Sequence, residues 1–171
     1  NPREIDDWPT VNLMVRREEF LFIGGFDCKY WPGDDTWLCL KLKKNGNKMM
    51  YVPEMIVWHH RRAGFLLHLK QVGAYGLHRG YFASHYPETS FRLKYFLPSG
   101  FSFFILATFA ILVWFQIEIL IWTIALGWII YGSALLAGLL DSIKYEKLSV
   151  SLAALLYLPP THFYYGVNFI I

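Results

Sequence analysis

The sequence predicts an α/β polar part followed by an all-α transmembrane region of about three helices. Two observations carry that reading. Charge is unevenly spread: of 16 Lys/Arg and 13 Asp/Glu, 14 and 10 fall before residue 99. Beyond it only Glu118, Asp141, Lys144, Glu146 and Lys147 are charged. Hydropathy follows the same division, since 55% of residues are hydrophobic and mean hydropathy is +0.31, high for a soluble domain. Three stretches follow: residues 1–64, a compact polar part; 65–98, amphipathic and interfacial; and 99–171, apolar.

Val11 to Val15 suits a short strand or a ligand-facing segment, and Arg16 to Glu19 a polar turn. Phe20 to Ile23 leads into Gly24-Gly25, where glycine admits positive φ or close backbone approach. Asp34, Asp35 and Thr36 are good helix-start residues. Trp37, Leu38 and Leu42 then form an apolar stripe beside Lys41, Lys43 and Lys44. Asn45-Gly46 suits the end of that helix. Lys48 to Val52 and Met55 to Trp58 alternate like strands, and Pro53 between them favours an edge position. In residues 65–95, Leu66, Leu69, Val72, Gly73 and Gly76 share one helical face, which fits either a headgroup-level helix or a solvated helix packed on the polar part.

Phe101 to Phe115 and Ile119 to Leu140 are apolar, separated by Gln116-Ile117-Glu118. A span needs about 20 apolar residues, so the first run must borrow from Tyr95 to Gly100. A hairpin turning at Gln116 to Glu118 returns Lys144 and Lys147 to the side of the polar part, as the positive-inside tendency asks. Leu152 to Ile171 would be a third span, bent at Pro159-Pro160. The expected location is therefore the cell membrane, multi-pass, with the polar part cytoplasmic.

Net charge is +3 with acids and bases interleaved, which excludes the strongly basic surface of a nucleic-acid binder. Cys28 and Cys39 lack metal-type spacing and fit reduced thiols. Asn1-Pro2-Arg3 does not resemble a domain opening, so the chain is expected to be a fragment or a processed product.

The residues that suit chemistry are a carboxylate pair, Asp34-Asp35, after a glycine turn, and a basic run, His59-His60-Arg61-Arg62. A carboxylate can activate a hydroxyl as general base. Cations can hold a phosphorylated leaving group, because they stabilise charge that develops in the transition state. The plainer alternatives are acidic helix-start residues stabilised by the helix dipole and a basic turn or headgroup-binding patch. Gln71, Tyr75 and Arg79 recur at helical spacing and share a face. A zinc site from His59, His60, His68, His78 and His85 is disfavoured, because no acid or cysteine falls at a recognised ligand spacing, and no metal ligand is assigned within the chain.

The order Gly24-Gly25-Phe26-Asp27, Asp34-Asp35-Thr36-Trp37-Leu38, Asn45-Gly46, Val52-Pro53 and Val57-Trp58-His59-His60-Arg61-Arg62 resembles family 2 glycosyltransferases of the GT-A fold. The stretch with Gln71, Tyr75-Gly76 and Arg79 is similar to the succinoglycan-type glucosyltransferases within it, as is His162-Phe163-Tyr164-Tyr165-Gly166. The resemblance covers nearly the whole chain and is most specific over residues 24–62. It departs at Asp34, where the family usually carries Glu. The Gln-x-x-Arg-Trp signature of processive synthases is missing, since Val72, Gly73 and Ala74 follow Gln71.

The resemblance implies the acceptor-side half of a GT-A domain with its membrane anchor, moving one sugar with inversion from a nucleotide sugar to a lipid-linked or glycan acceptor. It implies Asp35 as base with Asp34 supporting it. Gly24, Gly25, His59, His60, Arg61, Arg62, Gln71 and Arg79 would bind substrate. It also implies a divalent ion, Mg²⁺ or Mn²⁺, whose ligands lie mostly outside this chain, and a nucleotide-binding half that is upstream or on another polypeptide. Asp6-Asp7 does not substitute for that half's metal motif, because no hydrophobic strand precedes it. The competing expectations are a non-catalytic membrane adaptor and, more remotely, a small transporter subunit. The transporter needs buried ionisable groups that the apolar runs lack.

Overall fold

The computed structural model describes residues 1–60, 64–115 and 117–171. Helix accounts for 71% of it, and the two strands have three residues each. The expected α/β class, and with it the half GT-A sheet, is therefore overturned. Among the described residues the sheet consists only of β1 (Arg3–Ile5) antiparallel to β2 (Met49–Tyr51), with Arg3 opposite Tyr51 and Ile5 opposite Met49. Residues expected as further strands find no ladder to join. Val11 to Val15 is irregular apart from a 3₁₀ turn at Thr10–Asn12, and Met55 to Trp58 is irregular too. Phe20 to Phe22 belongs to α1 (Arg17–Phe22), with Glu18 and Glu19 in its first turn.

Helix α2 (Asp34–Lys44) begins and ends where its sequence places it. Gly33 caps it with non-helical dihedrals, and Gly46, at φ 83°, donates its N–H to the Lys43 carbonyl at 2.9 Å to close the last turn. Leu38, Cys39, Leu40 and Leu42 are buried. Tyr30 and Trp37, with ring centres 4.6 Å apart, extend this core onto Phe82 and Tyr86 from the helix that follows.

That helix is α3 (Phe65–His85), followed by the single turn α4 (Pro87–Ser90). The apolar region supplies α5 (Leu93–Ala110), a π-helical turn (Ile111–Phe115), α6 (Glu118–Ser142) and α7 (Leu148–Ile170). Two segments are long and apolar enough to cross a membrane, Leu93–Phe115 and Glu118–Ser142, consistent with membrane association. The first does borrow residues upstream of Phe101. Ile117 is extended and caps α6, while Gln116, the start of the expected turn, lies outside the described residues. The expected third span is not among them. Helix α7 holds Pro159, Pro160, Thr161 and His162 in mid-helix and packs on α3 and α5 instead.

Small residues make that packing close. A Cβ on Gly76 or Gly80 would collide with the backbone carbonyl of Tyr165 or Phe169, and one on Gly166 with that of Pro98. Ser99 and Ser102 donate to the carbonyls of Gly166 (3.1 Å) and Phe163 (3.0 Å), fixing α5 antiparallel to α7. Phe65 on Tyr157 and His68 on Thr161 (3.0 Å) run α3 parallel to it. The sequence places Gly73 and Gly76 on one face, and that face meets α7; Leu66, placed with them, is exposed.

Gly76→Ala is expected to destabilise by at least about 1–3 kcal/mol, the usual cost of overpacking. Gly132→Ala, which meets open space, should leave stability nearly unchanged or slightly raised. Thermal unfolding of both variants in one detergent checks this.

Candidate active site

Six chain segments meet around a cleft of about 790 Å³: β1 with the stretch after it, the start of α2, the second half of α3, α4, the start of α5 and the end of α7. Asp35 and Thr36 enter it from α2, Tyr75, His78 and Arg79 from α3, and Asp7 from the N-terminal stretch. Arg92, Lys94 and Tyr95 line the side where the first candidate span begins.

Asp7 organises the cleft. Its carboxylate accepts from Arg79 Nη2 at 2.6 Å and from Thr36 Oγ1 at 3.2 Å. Arg79 also donates to Ser90 Oγ at 3.2 Å, and its guanidinium lies 4.9 Å from the centre of the Tyr95 ring. The neighbouring Asp6 pairs with Lys43 and, at 3.0 Å, with Arg92. Hydrogen bonds from Lys43 and then Arg92 hold the Asp6 carboxyl below the usual carboxylate range.

Asp35 is half-buried, and its Oδ1 accepts from the Thr36 N–H at 2.8 Å. Burial raises its proton affinity, and the charges of Asp7 and Asp34 act in the same direction. The Thr36 hydrogen bond and the Arg79 charge oppose the rise without cancelling it. Burial also lowers the pKa of His78, against the pull of Asp34. A carboxyl with raised proton affinity beside cations in a cleft can accept a proton from a hydroxyl.

The sequence-predicted residues do not all converge. Asp35 and Arg79 meet in the cleft. Gln71 stands one turn beyond it and donates to the Tyr75 hydroxyl at 2.7 Å, as their helical spacing predicts; Asp34 begins α2 beside Asp35 without lining the cleft. Gly24 and Gly25 lie elsewhere, at φ 79° and 63°, in a turn held by Lys41 Nζ on the carbonyls of Ile23 (3.0 Å) and Gly25 (2.7 Å). His59 and His60 are exposed on the segment before α3 and do not line the cleft; Arg61 and Arg62 lie outside the described residues. Asp7, His78, Arg92, Lys94 and Tyr95 are additions that no local motif marks.

Among the described residues no three of His, Cys, Asp and Glu converge as a metal set, so this donor set does not fit the divalent ion implied by the resemblance. A second cavity of about 500 Å³, between Trp8, Met49 and Met55, is also lined by Arg16 and Glu19, which form no ion pair with each other. No family model, curated protein or solved structure matches the chain.

Two measurements test the cleft's electrostatics. Asp35, whose unfolded value is 3.8, holds its proton more tightly when folded, so its charged form disfavours the fold as pH rises through the folded pKa. Asp35→Asn should therefore be the more stable protein at pH 7, and the difference should vanish below about pH 3. A gain that persists at low pH would contradict this. Asp7→Asn should cost about 1.5–3 kcal/mol by removing a charged hydrogen-bond acceptor from Arg79, read as a fall in the denaturation midpoint.

Proposed function

We propose that the chain is the acceptor-side part and membrane anchor of an inverting glycosyltransferase. It would move one sugar from a nucleotide sugar to a lipid-linked or glycan acceptor. The observation that carries this reading is Asp35, raised in proton affinity inside a cleft that also holds Arg79, Arg92 and Lys94. Asp35 removes the proton from the acceptor hydroxyl as that oxygen attacks the anomeric carbon from the face opposite the nucleotide. The bond to the diphosphate breaks and the nucleotide leaves with its electron pair. Cations of the cleft stabilise that charge, Lys94 foremost, since Arg79 and Arg92 are engaged by Asp7 and Asp6. Asp34 adds negative charge next to Asp35, which favours the proton's arrival.

The cleft's position supports a membrane-borne acceptor. Lys94 and Tyr95 open the first candidate span, where a cation and an amphipathic ring suit the headgroup level. In this reading α5 and α6 cross the cell membrane, with the polar part on the cytoplasmic side. A separate or upstream polypeptide segment supplies the nucleotide site and the Mg²⁺ or Mn²⁺ ligands. Since His59 and His60 stand away from the cleft, they are left for the diphosphate or acceptor only as that other segment closes on the chain. The alternative, a non-catalytic membrane adaptor, draws on those two ion pairs, which satisfy two of the cleft's cations internally.

In membranes carrying the full gene product, Asp35→Asn should lower transfer of labelled sugar to extractable lipid or glycan about 10²–10⁴-fold, with donor binding unchanged. Transfer near the wild-type rate would remove Asp35 as the base. Wild-type membranes that transfer from no nucleotide sugar would favour the adaptor.

A further inference from the structure

Between β2 and α3 the chain exposes apolar side chains in succession. Ile56 is 74% exposed and Trp58 98%, with Val57 also exposed. Across the connection to α3, Leu66 is 78% exposed and Leu67 lies beside it on the surface. Single exposed apolar residues are ordinary, but a run containing a fully exposed Trp is not what water selects.

The packing of α3 says what medium this edge meets. Phe65, at the start of α3, stacks edge-on against Tyr157 of α7, with ring centres 4.5 Å apart. Along α7, Phe169 meets Phe96, Gly166 meets Ser99 and Phe163 meets Ser102 of α5. Extending that antiparallel register towards Tyr157 reaches the part of α5 beyond Ser102. Phe103, Leu106 and Phe109 are exposed there, inside the first candidate span. The start of α3 thus stands one helix away from a membrane-crossing segment, joined to it through α7.

We infer that Ile56–Trp58 together with Leu66 and Leu67 inserts into the bilayer alongside the first candidate span, making the start of α3 a second point of membrane attachment beside the α5–α6 spans. This rests on the reading of α5 and α6 as spans. Insertion at this end ties α3 to the membrane through both its N-terminus and α7, and so sets the height of Arg79 and the cleft above the lipid.

The test uses the full chain in phosphatidylcholine–phosphatidylglycerol vesicles, with Cys28 and Cys39 replaced by Ser and Ala and a bimane label at Trp58→Cys. Ile129→Cys on α6 serves as the lipid reference and Met14→Cys as the aqueous one, both being exposed sites. Position 58 should be quenched by brominated lipid chains to an extent comparable with position 129, and little by aqueous iodide. Quenching of position 58 by iodide alone, with 129 still lipid-quenched, overturns the inference and leaves the spans intact. Position 129 open to iodide would overturn the spans and the inference together. Position 58 shielded from both quenchers would mean that protein covers the edge, which also overturns the inference. With native cysteines retained, Trp58→Phe should remove part of the lipid-quenchable tryptophan emission; an unchanged quenchable fraction refutes insertion without relying on the cysteine-free background.

Discussion

The Asp7 carboxylate receives Arg79 from α3 and Thr36 from α2, and Arg79 reaches on to Ser90 of α4 and the Tyr95 ring at the start of α5. Five segments far apart in sequence are thereby fixed around one charge pair. Both partners are largely withdrawn from water, where a charge left without its mate costs several kcal/mol. Neither can be neutralised alone without loosening the others. The β1–β2 ladder cannot do this work, since a sheet of two three-residue strands is marginal by itself. The polar part is therefore held less by its sheet than by α2, α3 and the ion pair that ties α3 to the stretch after β1.

Arg79 can serve as that anchor only because α3 is itself immobilised. Its glycines bring the helix backbone against α7, and α7 is hydrogen-bonded to α5 through two serines whose hydroxyls reach backbone carbonyls. Small residues suit this role near lipid, where apolar burial gives no advantage between helices and close backbone approach has to supply the attraction. The apolar helices thus position the cleft as well as anchoring it. Helix α7 explains its own failure as a span: the residues that lower its hydropathy face protein partners, Thr161 towards His68 and Gly166 towards Ser99.

Local signals in the sequence were faithful. The start of α2 at Asp34, its end at Asn45-Gly46, the shared face of Gln71, Tyr75 and Arg79, and two apolar runs of spanning length all follow from periodicity and capping. Strands were the failure. Alternation over Met55 to Trp58 marks a segment suited to a half-buried surface, but a strand also needs a neighbour, and the sequence of one segment says nothing of its partner. The resemblance reinforced the same error by implying a sheet of which only Arg3–Ile5 and Met49–Tyr51 are paired here. In the cleft, Asp35 and Arg79 were legible through their motifs. Asp7 was not, since its pairing with Arg79 spans 72 positions and the only motif tested at Asp6-Asp7 was a metal one. His59 and His60 stood out by their density of ring nitrogens, yet they sit on an exposed stretch away from the cleft.

Asp35 settles which of two opposed effects governs a carboxylate at a helix start. The first-turn position beside unpaired backbone N–H groups favours its charged form, by about 0.3–1 kcal/mol at an exposed site. Its proton affinity is nonetheless raised, so the loss of water outweighs the dipole together with Arg79. Asp6, one residue before Asp7, shows the opposite balance, because it stays exposed and accepts direct hydrogen bonds from Lys43 and Arg92. Two acids in one small region are thus driven apart, one committed to structure and one left able to take a proton. The helix dipole alone would favour the ionised form of Asp35, and Asp35 departs from that. The departure arises first from burial, and Asp7, not Asp35, takes the Arg79 guanidinium that could have offset it.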